Sequence, residues 1–393
     1  MVFGNFLAFL CSLFLSKLAD QILLFLVPLV VYQTTSSIAW SGIAFAVETF
    51  PRFLSFPICG ALCDRISPIT LMRVSQLLRA IVCFGGAVAG VAVGGVGWLI
   101  ALSALCGVLT TQGVMAREVI LPQVFKQYSF ERVLAYSQTA DQTGSIAGPL
   151  LAAVLLSLWG WEFVVVAASI LFLLADVAML VWYRNGAVTL REPEAAGASW
   201  MATTRTALLH VAHLPGLRRL VILAAGVNLV IGVTLATSAA LVTGVHGQST
   251  SVYAGLQMAG ALATVLVLLV VAHTVIPLNR MGALAFGLIF VGGLVTALSP
   301  NPWLYTIGFL LVVGFDKMFN IYIRSSRQKV IPAKDYGKTV GIVVMLNNLT
   351  QPLAGLAIGL LDKHVTTGAI ILILTCAMAL LGVMALRTPP VAS

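Results

Sequence analysis

The sequence predicts an all-α integral membrane protein, with twelve transmembrane helices in two pseudo-symmetric six-helix bundles. Three features lead there. The first is composition: of 393 residues, 60% are apolar and 9% charged, and the mean hydropathy is +1.04. Soluble domains carry roughly 25% charged residues, so this chain cannot clothe a soluble core in a wetted shell. The second is pattern. Apolar runs of about 20 residues or more recur, the length a helix needs to cross a bilayer. Backbone polar groups in lipid must bond internally, and without period-2 alternation helices are favoured over barrel strands. The third is one long polar connection, from Arg184 to Leu217, which splits the runs into six and six.

In order, the first six runs fall at about 4–32, 37–62, 70–93, 96–119, 133–158 and 161–183. The second six fall at about 217–243, 249–275, 279–299, 302–324, 338–361 and 366–387. The first run is too long for a cleavable signal peptide and holds Lys17 and Asp20 in its middle. The second reaches Gly60-Ala-Leu-Cys-Asp64-Arg65, breaks at Ser67-Pro68, and the third begins at once. With the N-terminus inside, the basic turn residues from Arg65 to Lys338, and Arg387 on the tail, all fall on the inner side. The outer turns contain one basic residue, Lys363. This bias places both termini in the cytoplasm.

Residues 1–183 thus form an N-terminal bundle, 184–216 a cytoplasmic linker and 217–393 a C-terminal bundle. Within the linker, Trp200 to Ala212 is weakly amphipathic and is expected to form a short helix along the inner face. The halves look like copies. Arg117-Glu-Val-Ile-Leu-Pro122 parallels Arg327-Gln-Lys-Val-Ile-Pro332, and Gly148-Pro149-Leu150 parallels Gln351-Pro352-Leu353. Parallel repeats of this kind belong to transporters whose substrate binds near the midplane, between the halves.

The net charge of +9 sits in interhelical turns and does not point to nucleic acid. Cys11, Cys59, Cys63, Cys83, Cys106 and Cys376 all lie in apolar segments, so they suit packing rather than an extracellular disulfide framework. No Ser-His, Cys-His or metal-ligand cluster shares a depth, and no sizeable domain lies outside the bilayer. The chain is therefore expected not to be an enzyme and to need no cofactor. Its expected partners are a small-molecule substrate and the lipid bilayer of a bacterial inner membrane, where it acts as a monomer.

An ionisable group in the bilayer costs at least about 2.5–3.5 kcal/mol on insertion scales, so each one invites a role. Asp20 lies about 24 Å along the first helix at 1.5 Å per residue, near mid-membrane, with Lys17 one turn earlier on the same face. It is either a proton or cation site or half of a self-neutralising pair with Lys17. Asp141 stands two turns into the fifth helix among Ser137, Gln138, Gln142, Thr143 and Ser145. So polar a segment faces water or another helix, and Asp141, Gln138 and Gln142 are candidates for proton or substrate binding. Asn228 in the seventh helix, and Asn347 and Asn348 in the eleventh, offer amides that suit a polar organic molecule but also glue helices together.

Asp316, near mid-membrane in the tenth helix, is a further candidate. Its neighbour Lys317 points about 100° away, so the two are not expected to pair. Glu48 and Arg52, spaced i, i+4, read as a structural ion pair, and Asp176 as structural. Arg73, Arg79 and Arg117 lie at or near inner helix ends, where snorkelling to headgroups is the default.

The stretch Gly60-Ala-Leu-Cys-Asp64-Arg65 resembles the cytoplasmic signature of the major facilitator superfamily, G-x-L-a-D-R followed by a small residue and two bases. Gly60, Leu62, Asp64 and Arg65 match, whereas Ser67, Pro68 and Ile69 stand where Gly, Arg and Lys are wanted. The resemblance implies a gating role for Gly60, Asp64 and Arg65; the alternative to snorkelling for one of Arg73, Arg79 and Arg117 is to replace the missing latch bases by pairing with Asp64. It also implies a cavity lined by the first helix, hence by Asp20, and faced by the tenth. Pro51-Arg52, Tyr136-Ser137-Gln138 and Pro149 are similar to the macrolide-efflux and enterobactin-exporter branch. That branch implies antiport: efflux of a drug or siderophore-like molecule driven by the proton gradient. Ala19-Asp20-Gln21 and Asp141-Gln142 are also similar to ferroportin, which implies iron(II) export with Asp20 as a ligand. Leu24 stands where ferroportin has a His, and the seventh and eleventh helices hold no Cys or His for a second site.

Overall fold

In the computed structural model the described residues are 2–35, 38–93, 97–125, 127–186, 190, 200–361 and 365–386, and no strand occurs among them. The first six helices are α1 (Val2–Thr35), α2 (Ile38–Arg65), α3 (Pro68–Val93), α4 (Gly97–Val124), α5 (Phe130–Leu158) and α6 (Trp161–Asn185). The linker segment forms α7 (Trp200–His213). Then follow α8 (Pro215–Ala239), α9 (Thr250–His273), α10 (Leu278–Leu298), α11 (Pro302–Val330), α12 (Tyr336–Leu361) and α13 (Thr367–Leu386). Every expected run has its helix, and the amphipathic linker run has one too. Among the described residues nine helices are long and apolar enough to cross a membrane: α1, α3, α4, α6, α8, α9, α10, α11 and α13. The 29-residue α5 is as long, but its polar stretch from Ser137 to Ser145 dilutes its apolarity.

Local chemistry explains the helix ends. Pro68 opens α3, where its missing N–H costs nothing. Asn301 caps α11 by accepting from the Leu304 N–H at 3.0 Å, with Pro302 in the first turn. Ser249 caps α9 in the same way through the Val252 N–H. After α8 a π-helical turn (Ala240–Val245) leads to Gly247 at φ 60°, a left-handed conformation that favours glycine. Two helices overrun their expected ends by more than a turn. α4 continues through Pro122 to Val124, and α11 continues to Val330. Arg117 is therefore inside a helix rather than at its end.

The chain divides into two compact units, residues 1–127 with 139–203, and residues 128–138 with 204–393. The opening of α5 and residues 204–213 of α7 thus group with the second unit. Two sets of contacts within that unit account for this. The Tyr136 hydroxyl lies 3.3 Å from His273 Nε2. His210 on α7 meets Thr339 Oγ1 at 3.0 Å and Asp335 at 3.6 Å, while Lys338 pairs with Asp335 at 2.6 Å.

In the first unit Ile22 and Leu26 of α1, Leu99 of α4 and Phe172 of α6 are fully buried in one core. Gly144 and Gly148, a small-x-x-x-small pair on α5, bring that helix against Lys17, Leu18 and Gln21 of α1. In the second unit Val233, Tyr305, Phe309 and Ile371 centre the core. There α10 and α11 cross at Gly292 and Gly308. A Cβ on Gly308 would lie 2.8 Å from the Thr296 backbone nitrogen and 2.9 Å from the Gly292 carbonyl oxygen. Gly308→Ala is expected to cost about 1–3 kcal/mol by overpacking, read as a lower unfolding temperature in detergent. Gly287→Ala is the control, since a Cβ there meets nothing within 4 Å, and its unfolding temperature should match the parent.

Candidate functional site

Helical periodicity gathers charge inside the first unit. On α1, Ser16 and Asp20 share a face at i, i+4, and Lys17 lies beside them. On α3, Gln76 and Arg79 share a face, and on α4 so do Thr110, Gly113 and Arg117. These residues and Asp141 of α5 line one cavity of about 100 Å³, roomy enough for a few waters at about 30 Å³ each.

Asp20 is almost wholly buried, its side chain 3% exposed. Its Oδ1 accepts from the Thr110 hydroxyl at 2.8 Å and from Arg52 Nη2 at 3.1 Å, and its Oδ2 accepts from Arg52 Nη1 at 3.5 Å. Lys17 Nζ stands farther off, at 3.8 Å. Arg79 donates to the Ser16 hydroxyl at 3.0 Å, the Thr110 hydroxyl at 3.2 Å and the Ser75 carbonyl at 3.1 Å, with its guanidinium 4.3 Å over the Phe172 ring. Arg117 Nη1 donates to both oxygens of Asp141, at 2.6 and 2.7 Å. Arg117 Nε and Gln76 Oε1 are buried without a hydrogen-bond partner.

Several expectations change here. Arg52, expected to pair with Glu48, also extends its guanidinium to Asp20, 32 residues away. Glu48 lies in α2, but its side chain falls outside the described residues. Lys17 is a distant second partner of Asp20 because its flexible stem leaves the ammonium short of the carboxylate. Arg73, Arg79 and Arg117 do not snorkel. Arg73 holds Asp176 at 2.9 and 3.1 Å, as suits a structural Asp176, and the other two serve the cavity. Asp316 and Lys317 do pair, at 2.7 Å. Their Cα–Cβ bonds diverge, but the four-carbon lysine stem curls back across the gap.

Of the α5 stripe only Asp141 lines the cavity. Gln142 is half-buried outside it, and buried Gln138 groups with the second unit. In the second unit Asn228 of α8 donates to the Asn347 carbonyl of α12 at 3.0 Å, and the Asn347 side-chain oxygen is buried without a hydrogen-bond partner. Asn348 is half-buried beside it, and Gln351 has its side chain outside the described residues.

A family model described as the Major Facilitator Superfamily matches residues 9–326, most of the chain. The chain belongs to the Major Facilitator Superfamily. It is accordingly a multi-pass membrane transporter. No curated protein matches it in sequence. Solved structures do match across nearly the whole fold. A bacterial homologue of the iron transporter ferroportin, in an outward-facing state, gives a TM-score of 0.76 at 16% identity, covering 98% of each chain. The human organic anion transporter MFSD10 (TETRAN) gives 0.77 at 15% identity, covering 97% of this chain and 99% of that one. The proton:xylose symporter XylE, bound to 6-bromo-6-deoxy-D-glucose, gives 0.69 at 16% identity, covering 98% and 95%. At such identities the likeness is one of fold.

In this superfamily member the signature sits at the end of α2. Gly60 is buried, Asp64 and Arg65 are half-buried, and Arg65 donates to the Thr203 hydroxyl of α7 at 3.3 Å. The contacts of Arg73, Arg79 and Arg117 described above are with Asp176, Ser16, Thr110 and Asp141. The residues that sequence reasoning missed are Arg52, Gln76, Arg79, Thr110 and Arg117. The cost of an arginine at membrane depth was the signal available for Arg52 and Arg79. For Arg117 that signal was hidden by the underestimated length of α4.

Proposed function

We propose that this transporter moves a small organic anion and couples that movement to protons through Asp141 and Arg117. The charge of the cluster supports this most. Among the described side chains, four bases (Lys17, Arg52, Arg79 and Arg117) meet two carboxylates (Asp20 and Asp141), an excess of two positive charges. Buried Glu118, next to Arg117, still leaves an excess of one. A site of that sign attracts anions and repels divalent cations.

The two carboxylates differ in access. The Asp141 side chain is 25% exposed and that of Asp20 is 3% exposed. Asp141 is therefore the one a proton reaches from water, while Asp20 positions Arg52. A proton on Asp141 removes the charge that holds Arg117. The released guanidinium fork matches a carboxylate or similar anion with two parallel hydrogen bonds. Proton on Asp141 and anion on Arg117 then favour each other, so the two cross together. Gln76 Oε1 is placed to accept from a substrate hydroxyl or amide.

The antiport expected from the efflux branch needs substrate and proton to compete for one group, as a cationic drug would compete for a carboxylate. Carboxylates already held by arginines suit that coupling less well. Iron(II) export would need Asp20 released from Arg52, Thr110 and Lys17. In this proposal the proton gradient drives transport, no cofactor takes part, and a monomer works in the bacterial inner membrane with both termini cytoplasmic.

The substrate class is tested in proteoliposomes with labelled small carboxylates, their neutral amides, and Co²⁺ in place of iron(II). Carboxylate flux well above empty liposomes, with amides and Co²⁺ at background, is the expected result. Co²⁺ flux without carboxylate flux would overturn the proposal.

A further inference from the structure

A larger cavity lies within the second unit, and nothing in the transport chemistry above uses it. It measures about 730 Å³, inside the roughly 300–1,000 Å³ range of small-molecule sites. Its walls come from α8, α10, α11 and α13; no described residue of α12, which carries Asn347, lines it. Phe286, Phe290 and Phe319 form much of its apolar body, and Gly287 leaves space there, since a Cβ would meet nothing within 4 Å.

Its polar groups gather at one end. Arg219 is in the second turn of α8 and Lys329 in the last turn of α11. Among the described residues no carboxylate lines the cavity. Arg219 Nε is buried without a hydrogen-bond partner, a state that an anionic acceptor would relieve. Arg219 and Lys329 belong to the helix ends that the bias of basic turns assigns to the cytoplasmic leaflet. A basic mouth over an aromatic body has the order of a lipid, headgroup above chain.

We propose that this cavity binds an anionic phospholipid of the surrounding bilayer, its phosphate on Arg219 and Lys329 and one acyl chain against Phe286, Phe290 and Phe319. A zwitterionic headgroup would bring its own ammonium towards two bases, so the site discriminates by charge. Each base near a membrane surface is worth roughly fivefold in affinity for anionic lipid. The proposal does not depend on which substrate the transporter carries.

Native mass spectrometry of the full-length protein tests it, with phosphatidylglycerol, phosphatidylcholine of the same chains, and oleate as probes. Phosphatidylglycerol should bind at least tenfold more tightly than phosphatidylcholine. Arg219→Gln with Lys329→Gln should reduce that preference to within twofold. Gly287→Leu, which fills the open space, should weaken both lipids at least tenfold. Equal binding of the two lipids to the parent protein, or oleate binding without phosphatidylglycerol binding, would overturn it. A phosphatidylglycerol carrying a photoreactive group on its chain gives a reading on the unmodified protein. Adducts at Phe286, Phe290 or Phe319 support the site, and adducts confined to helices other than α8, α10, α11 and α13 overturn it.

Discussion

Asp20→Ala is expected to destabilise the first unit by about 3–5 kcal/mol, the cost of breaking a buried charge pair from one side. The substitution takes the carboxylate away from Arg52 and removes the acceptor of the Thr110 hydroxyl. Arg79, 2% exposed, loses its nearest counter-charge. Thermal unfolding of the purified protein in detergent reads the effect as a large fall in midpoint. Asp20→Asn should cost less, because an amide oxygen still accepts from Thr110. Asp20→Asn combined with Arg52→Gln should cost less than the sum of the single changes, since neither partner is then left charged and alone. Simple additivity of Asp20→Asn and Arg52→Gln would mean that the 3.1 Å contact between the residues carries no energy.

Arg117→Gln is expected to abolish transport with little effect on unfolding. Truncating one member of a buried, hydrogen-bonded charge pair costs about 2–5 kcal/mol in recognition, thirtyfold or more in affinity. The structural cost is smaller because Asp141, partly exposed, can turn to water. Arg117→Lys keeps the charge without the planar fork, so it should restore binding only in part. Substrate binding by the purified protein, measured by calorimetry or scintillation proximity, separates the three. Full affinity in Arg117→Gln would remove Arg117 from the substrate site.

The helices were legible because run length and polarity are properties of the chain itself. A bilayer demands about 20 apolar residues, and among the described residues α1, α3, α4, α6, α8, α9, α10, α11 and α13 supply them. The helix α7 was visible as an amphipathic run. The ends of α4 and α11 were not, since Pro122 and the basic residues after Ile323 look like stops. Both helices run on because packing, rather than propensity, sets their ends. Asp20 and Asp141 were legible as charges that must find company, and the structure places them on one cavity.

Their companions were not legible. Local spacing offers Asp20 only Lys17, which stands at 3.8 Å, while the fold brings Arg52 to it from another helix at 3.1 Å. Position near helix ends points arginines to headgroups, which hides the positive sign of the cavity. Lys317 shows a different limit. Backbone direction separates it from Asp316, but a long side chain is not bound by the direction of its first bond.

The most direct test of the coupling is accumulation of a labelled organic anion in proteoliposomes under an inward proton gradient, with the parent protein and with Asp141→Asn. The parent protein should concentrate the anion while the gradient lasts and lose it when the gradient is reversed, whereas Asp141→Asn should only equilibrate it, at a rate indifferent to pH. Expulsion of the anion as protons enter, or unchanged accumulation in Asp141→Asn, would contradict a proton and an anion sharing the Asp141–Arg117 pair.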